Sequence, residues 1–117
     1  MPRKKYKIEY LPAADRDLAE IINYISVDLA APQAATGLLE KIKQAVESLV
    51  KFPFAHAIYQ PISNNARKMP FEFRSLIVSS YLIFYYITEN IVTIARVIYS
   101  RRDMQSVSFD DLRSPLV

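Results

Sequence analysis

The chain has 117 residues, a length typical of one domain, and 51% of them are hydrophobic, which is enough to form a core. It contains no cysteine, which excludes disulfides and thiolate metal sites and is compatible with a reducing cytoplasm. The net charge of +3 is uneven, with a basic N-terminal arm, an acidic stretch over residues 8–50 and a basic stretch over residues 51–77.

No apolar run in the sequence approaches the roughly 18 residues that would span a bilayer. The basic N-terminal arm is not followed by the apolar core of a signal peptide. Both observations predict a cytoplasmic protein without membrane contacts.

The first two predicted elements are a strand and a long helix. Residues 6–11 alternate apolar and charged side chains, which predicts a half-buried strand. The apolar face of this strand carries Tyr6, Ile8 and Tyr10. Pro12 suits the first helical position, and apolar residues then recur every three or four positions as far as Leu29. We therefore expect a helix from Pro12 to Leu29 with one buried stripe that includes Leu29.

A second helix follows after a short link, so the two helices form an antiparallel hairpin. Its apolar stripe begins after Pro32 and ends at Phe52-Pro53. Gly37, the only glycine of the protein, lies inside this helix. A glycine inside a helix lowers stability, and we interpret it as the point where the two helices approach closely.

Residues 54–70 are predicted to form a loop, and we expect Phe54 and Tyr59 to anchor this loop to the core. Three strands rich in β-branched and aromatic residues follow, over residues 71–78, 81–88 and 91–100. Their two-residue connections permit only antiparallel hairpins.

The predicted fold is therefore α+β with element order β-α-α-β-β-β, a helical hairpin packed on one face of a four-stranded, mainly antiparallel sheet. The whole chain forms one domain, with a core over residues 6–103 and a C-terminal tail over residues 104–117. The opposite sheet face is expected to be open and to carry Arg74, Arg96 and several tyrosines.

An ordered set of segments over residues 6–109 resembles the ParE/RelE toxins of bacterial type II toxin–antitoxin systems, the plasmid stabilisation family, and is closer to ParE. The segments that carry the resemblance are YKIEY at 6–10, PAADRDL at 12–18, IINYI at 21–25, PQAA at 32–35, FP at 52–53, RSLIV at 74–78, YLIFY at 81–85 and RVIYSRRD at 96–103. The resemblance implies a growth-inhibiting toxin held by a cognate antitoxin in a hetero-oligomer. It implies DNA gyrase as the target of ParE-like members, and ribosome-bound mRNA as the substrate of RelE-like members.

Cleavage of RNA without a metal needs a base, an acid and cations around the phosphate. In RelE-like relatives an arginine follows the tyrosine of the central strand, but that position is Leu82 here. The C-terminal acid–base residue falls near Val107, while the arginine after the last strand is kept as Arg101. The loss of a phosphate-binding cation removes on the order of 3–4 kcal/mol of transition-state stabilisation. The resemblance therefore favours a protein-binding toxin over a nuclease.

The candidate residues differ between these two activities. Residues expected to bind the target or the antitoxin are Arg74, Tyr81, Tyr86, Arg96, Arg101 and Arg102. A rearranged nuclease site would instead use Arg74, Arg101, His56 and Tyr99. His56 is the only histidine, and no carboxylate lies near it in the sequence, so we interpret it as a loop residue without a catalytic role. We expect no metal and no cofactor. A third hypothesis is that the chain is a non-toxic binding protein with the same fold.

Overall fold

A computed structural model describes residues 5–59 and 71–100. In chain order its elements are the strand β1 (Lys7–Tyr10), the helix α1 (Pro12–Asn23), a π-helical turn (Tyr24–Asp28), the helix α2 (Pro32–Ser48), and the strands β2 (Arg74–Val78), β3 (Tyr81–Thr88) and β4 (Ile91–Tyr99). The predicted α+β fold is confirmed. None of these helices is both long and apolar enough to cross a membrane.

The sheet has the strand order β1-β4-β3-β2. The edge strand β1 runs parallel to β4, while β4, β3 and β2 form an antiparallel meander. The register places Arg74 opposite Tyr85 and places Tyr81 opposite Tyr99. Tyr81 is the first residue of β3 and Tyr85 lies near its middle, so these two pairs are about 13 Å apart at ~3.3 Å per residue.

The main core lies between the helical hairpin and one sheet face. The helices contribute apolar side chains at the predicted spacing, including Leu38, Ile42 and Val46 of α2. The predicted apolar face of β1 also packs on this core. The burial of these side chains provides most of the driving force for folding.

The opposite sheet face is covered, so the prediction that it stays open is wrong. A second cluster of buried side chains lies on this face, formed by Leu11, Phe73, Phe84, Tyr86, Ala95 and Ile98. The ring of Tyr59 packs edge-on against Phe84 with centroids 4.9 Å apart, as predicted for an anchor of the loop. Tyr59 and Phe73, from the described parts of the chain that precede β2, thus help to shield this face from water.

A π-helical turn interrupts the first helix and changes which side chains it buries. The amide of Leu29 donates to the carbonyl of Tyr24, an i→i+5 bond of 3.0 Å. The extra residue in this turn shifts the phase of the apolar stripe. Leu29 is consequently 55% exposed, contrary to its predicted place in the buried stripe.

Asp17 of α1 supplies a hydrogen-bond acceptor to the edge of β4 beyond the point where its pairing with β1 ends. Its carboxylate accepts the backbone N–H of Val97 at 2.9 Å, where a longer β1 would have supplied a carbonyl. The same carboxylate binds Arg96 through Nε at 2.7 Å and Nη2 at 2.9 Å. The side chains of Arg96 and Asp17 are only 16% and 12% exposed. Arg96 is therefore a structural ion-pair residue in this fold. The prediction that it lies on an open sheet face is wrong.

Gly37 does not mark a close contact between the helices, which corrects the prediction. It lies on the exposed side of α2, and a Cβ atom added to it would meet nothing within 4 Å. Its φ angle is not positive, so an alanine fits the same backbone.

We therefore expect Gly37→Ala to raise the free energy of unfolding by about 0.5–1 kcal/mol, because alanine loses less conformational entropy in a helix. Urea denaturation measures the change. The exposed Ala34 of the same helix provides the matched control, since Ala34→Gly should lower stability by a similar amount. A destabilised Gly37→Ala variant would contradict the open surroundings of this position.

Candidate protein-binding site

Two polar side chains of the sheet hold the loop that leaves α2. Nη1 of Arg74 donates to the carbonyl of His56 at 2.6 Å and to that of Phe54 at 3.5 Å. The hydroxyl of Tyr85, the cross-strand neighbour of Arg74, donates to the carbonyl of Pro53 at 2.9 Å. These three carbonyls lie within four consecutive residues, so Arg74 and Tyr85 together fix the course of the loop. We call residues 52–58 the clamped loop.

A short stretch of backbone pairing extends the clamp. The amide of Ser75 donates to the carbonyl of Ala57 at 3.2 Å, and the amide of Tyr59 donates to that of Phe73 at 2.7 Å. The clamped loop therefore runs as an added partner along the start of β2, which is otherwise an edge strand. Backbone fixed on both sides in this way has little freedom to reorganise when a partner binds.

The clamped loop presents aromatic side chains to solvent. Phe52 is 62% exposed and Phe54 is 57% exposed, while Pro53 between them is buried. The guanidinium of Arg74 lies 5.2 Å from the centre of the Phe54 ring, and Tyr6 meets the same ring edge-on. Phe54 was predicted to anchor the loop in the core, and that prediction is wrong because its ring is held at the surface.

A shallow pocket of about 80 Å³ adjoins the clamped loop. Its lining combines aromatic rings with one ion pair, and consists of Phe54, Phe71, Glu72, Arg74, Tyr86 and Ile87. Small-molecule sites usually measure roughly 300–1,000 Å³. The pocket therefore suits one protruding side chain of a partner better than a cofactor.

The predicted site residues fall into separate groups. Arg74, His56 and Tyr86 lie at the clamped-loop end of the sheet, where Phe71 stacks on Tyr86 at 4.0 Å. Tyr86 itself is mostly buried, and its hydroxyl bonds to Thr93, so only its edge reaches the pocket.

The tyrosines at the other end of the sheet form the second group. The rings of Tyr81 and Tyr99 contact each other there, 5.6 Å apart. The remaining candidates, Arg101 and Arg102, lie outside the described residues, as do Val107 and the tail over residues 104–117.

The structure does not bring together the described residues of the rearranged nuclease site. Tyr99 lies two strands away from Arg74, and their partners on β3, Tyr81 and Tyr85, are four residues apart. Arg74 binds His56 through its backbone carbonyl, and the imidazole ring instead faces Tyr85 edge-on at 6.4 Å. A phosphate held by Arg74 would thus have no contact with Tyr99. Residues 5–59 and 71–100 also contain no group of three or more histidine, aspartate or glutamate side chains placed to hold a metal.

Burial changes the acidity of several tyrosines. It is the main cause that raises the pKa of Tyr10, Tyr81, Tyr85 and Tyr86 above the ordinary tyrosine value. At Tyr85 the nearby Arg74 and the clamped-loop backbone oppose this rise.

A raised pKa means that the folded protein favours the neutral phenol, so these groups stabilise the fold fully below about pH 10. As the pH rises above that value the unfolded chain ionises first, and stability falls. We expect a lower urea midpoint at about pH 11 than at about pH 9. Tyr81→Phe should lose less stability over the same interval, and equal losses in the two proteins would contradict this assignment.

Comparisons with known proteins agree with this fold. Residues 8–104 match the family described as the ParE toxin of type II toxin–antitoxin system, parDE. No curated protein sequence matches the chain.

Two solved structures share the fold at low sequence identity. A chain of the chromosomal ParDE toxin–antitoxin system from P. aeruginosa is similar with a TM-score of 0.64 and 16% identity, over 83% of this chain and 98% of that chain. The RelBE2 toxin–antitoxin complex from Mycobacterium tuberculosis is similar with a TM-score of 0.51 and 17% identity, over 81% of this chain and 98% of that chain. Since the family match spans most of the sequence, the chain belongs to the ParE toxin family of type II toxin–antitoxin systems.

Proposed function

We propose that this chain inhibits bacterial growth by binding DNA gyrase through the clamped loop, and that a cognate antitoxin neutralises it. The observation that carries the proposal is the pair of exposed rings at Phe52 and Phe54 on a loop held by Arg74 and Tyr85. Exposed aromatic side chains on fixed backbone are typical anchors of protein interfaces. Gyrase as the target comes from the family, and the clamped loop supports contact with a protein.

The chemistry of the described residues favours binding over catalysis. Arg74 is 17% exposed, its Nη1 donates to the clamped-loop carbonyls and its Nη2 faces Glu72 at 3.9 Å, so the fold already engages much of its guanidinium. His56 has Tyr85 beside its ring and no paired carboxylate among its described contacts. We therefore place the activity in recognition of a protein, acting in the cytoplasm and without a cofactor.

Three assays test this function, one in cells that express the chain and two on the purified chain. We expect growth arrest on induced expression, inhibition of supercoiling by gyrase, and intact mRNA in a ribosome-programmed cleavage assay. Cleaved mRNA with unaffected supercoiling would overturn the proposal in favour of the endoribonuclease. Normal growth with neither activity would identify a non-toxic binding module.

The substitution Phe52→Asp tests the clamped loop directly. Removal of an exposed aromatic anchor should weaken inhibition of supercoiling at least tenfold, because hot-spot residues contribute about 2 kcal/mol or more. The thermal midpoint should change little, because the ring is already largely in water. Ile77→Asp is the matched control, since Ile77 is 68% exposed on β2 away from the clamped loop. Equal effects of both substitutions would show that the clamped loop has no specific role.

A further inference from the structure

The pocket beside the clamped loop has aromatic walls, formed by the rings of Phe54, Phe71 and Tyr86. Phe71 and Tyr86 stack with their planes 2° apart and their centroids 4.0 Å apart. Tyr86 is almost fully buried, whereas Phe71 is 37% exposed and Phe54 is 57% exposed. The faces of aromatic rings carry partial negative charge and attract cations, most often guanidinium groups. The walls of the pocket therefore favour a partner side chain that is planar and positively charged.

The carboxylate of Glu72 gives the pocket a hydrogen-bond acceptor. Its side chain is 68% exposed, and its Oε1 lies 3.9 Å from Nη2 of Arg74. That distance is an ion-pair contact but is too long for a hydrogen bond. No hydrogen bond to this carboxylate comes from residues 5–59 or 71–100. Since an ionised carboxylate has about four acceptor positions, Glu72 can accept two parallel bonds from a partner.

The charge of the pocket favours a cation over an acid. Nη1 of Arg74 is directed away to the clamped-loop carbonyls, and Glu72 balances the charge of its guanidinium. A partner acid would meet the Glu72 carboxylate and the faces of aromatic rings, which both repel it. A partner cation gains both contacts, and water around the exposed Glu72 screens its repulsion from Arg74.

Arginine fits these contacts better than lysine does. Its planar guanidinium can stack on the Phe71 ring and can present two parallel donors to the Glu72 carboxylate. The lysine ammonium is a compact and strongly hydrated charge that does neither. Arginine is also enriched at the centres of protein interfaces, where lysine is depleted.

We propose that the pocket receives an arginine side chain of the target protein, stacked on Phe71 and bonded to the Glu72 carboxylate. This inference rests on the proposed function, because it names the side chain that the target presents beside the clamped loop. The clamped loop then provides the apolar anchors Phe52 and Phe54, and the pocket provides recognition of charge.

Three capped tripeptides test the pocket without any target protein. They differ only at the central residue, which is arginine, lysine or glutamate. Titration into the purified chain, followed by amide NMR shifts, should show saturable binding of the arginine peptide at the amides of Phe71, Glu72 and Ile87. The arginine peptide should bind about tenfold more tightly than the lysine peptide, and the glutamate peptide should not bind.

Two substitutions in the pocket and one matched control locate the binding. Glu72→Gln and Phe71→Ala should each weaken binding of the arginine peptide about tenfold, the loss of one charged contact or one stacked ring. Glu40→Gln makes the same charge change at an exposed position of α2 and should leave binding unchanged. The urea midpoint of Glu72→Gln should also stay unchanged, because the side chain is mostly in water.

Several outcomes would overturn the arginine assignment. One is equal binding of the arginine and glutamate peptides, and another is a Glu72→Gln variant that binds like the parent chain. Stronger shifts of the same amides with adenosine monophosphate would assign the pocket to a nucleotide. Shifts of these amides on dilution without any peptide would assign it to a second copy of the chain.

Supercoiling assays keep this inference apart from the proposed function. If both hold, Glu72→Gln should weaken inhibition of gyrase about tenfold, and Glu40→Gln should not. A chain that binds the arginine peptide but leaves supercoiling unaffected retains the arginine pocket and loses gyrase as its target. A chain that inhibits supercoiling equally well with Glu72→Gln, and does not bind the peptide, retains only the proposed function.

Discussion

Replacement of Asp17 by alanine is expected to lower the free energy of unfolding by about 3–5 kcal/mol, the range for breaking a buried ion pair by removing one partner. The variant leaves the guanidinium of Arg96 and the amide of Val97 without the carboxylate that both now contact at 2.7–2.9 Å. Both side chains of the pair are less than one-fifth exposed, so water replaces the lost bonds poorly. Urea unfolding followed by circular dichroism measures the change.

Three comparison variants separate the contributions of charge and hydrogen bonding. Asp17→Asn keeps an oxygen that can accept the Val97 amide but removes the charge, so its loss should be intermediate. The double variant Asp17→Leu/Arg96→Met should recover much of the stability, because no buried charge remains unpaired. Asp15→Ala, at an exposed position of the same helix, should cost little. A small effect of Asp17→Ala, similar to that of Asp15→Ala, would contradict the structural role of the pair.

The architecture was predictable because its signals are local. The strand β3 has the bounds that its apolar and aromatic run predicted, and α2 begins at Pro32 as its helix-start signal indicated. Periodicity reports which face of an element is apolar, and it requires no knowledge of distant partners. The parallel pairing of β1 with β4 has no such local signal, because the two strands lie at opposite ends of the described chain.

The roles of the charged strand residues were not predictable in the same way. Arg96 binds a carboxylate 79 positions away in sequence, and Arg74 binds a carbonyl 18 positions away. From one sequence both arginines look like cations on a solvated face, because nothing local marks their partners. Both predicted binding cations in the described ranges therefore serve the fold.

The exposed apolar residues were missed for a related reason. Hydrophobicity alone placed Leu29 and Phe54 in the core, whereas the structure exposes more than half of each side chain. An i→i+5 bond turns Leu29 outward, and the Arg74 clamp holds Phe54 at the surface. Neither bond has a sequence signature of its own. The clamped loop, proposed here as a binding surface, thus includes a residue that departed from its predicted place, as is common where local rules and function conflict.

Arg74→Ala is expected to affect both the fold and the activity. Loss of the charged hydrogen bond to His56, with the contact over the Phe54 ring, should lower the free energy of unfolding by about 2 kcal/mol. Under the proposed function, the released loop would have to be ordered when gyrase binds, so inhibition of supercoiling should weaken at least tenfold. Arg74→Lys should recover only part of both losses, since an ammonium group lacks the planar guanidinium that lies over the Phe54 ring and has no second nitrogen to face Glu72.

A stabilised background decides whether the loss of activity comes from the loop or from general unfolding. Gly37→Ala lies on the exposed side of α2, remote from the clamped loop in sequence, and should restore part of the stability of Arg74→Ala. If the clamped loop is the binding surface, inhibition of supercoiling stays weak in the Gly37→Ala/Arg74→Ala variant although its urea midpoint rises. If inhibition returns in proportion to stability, Arg74 contributes only to folding and the clamped loop is not the surface that contacts gyrase.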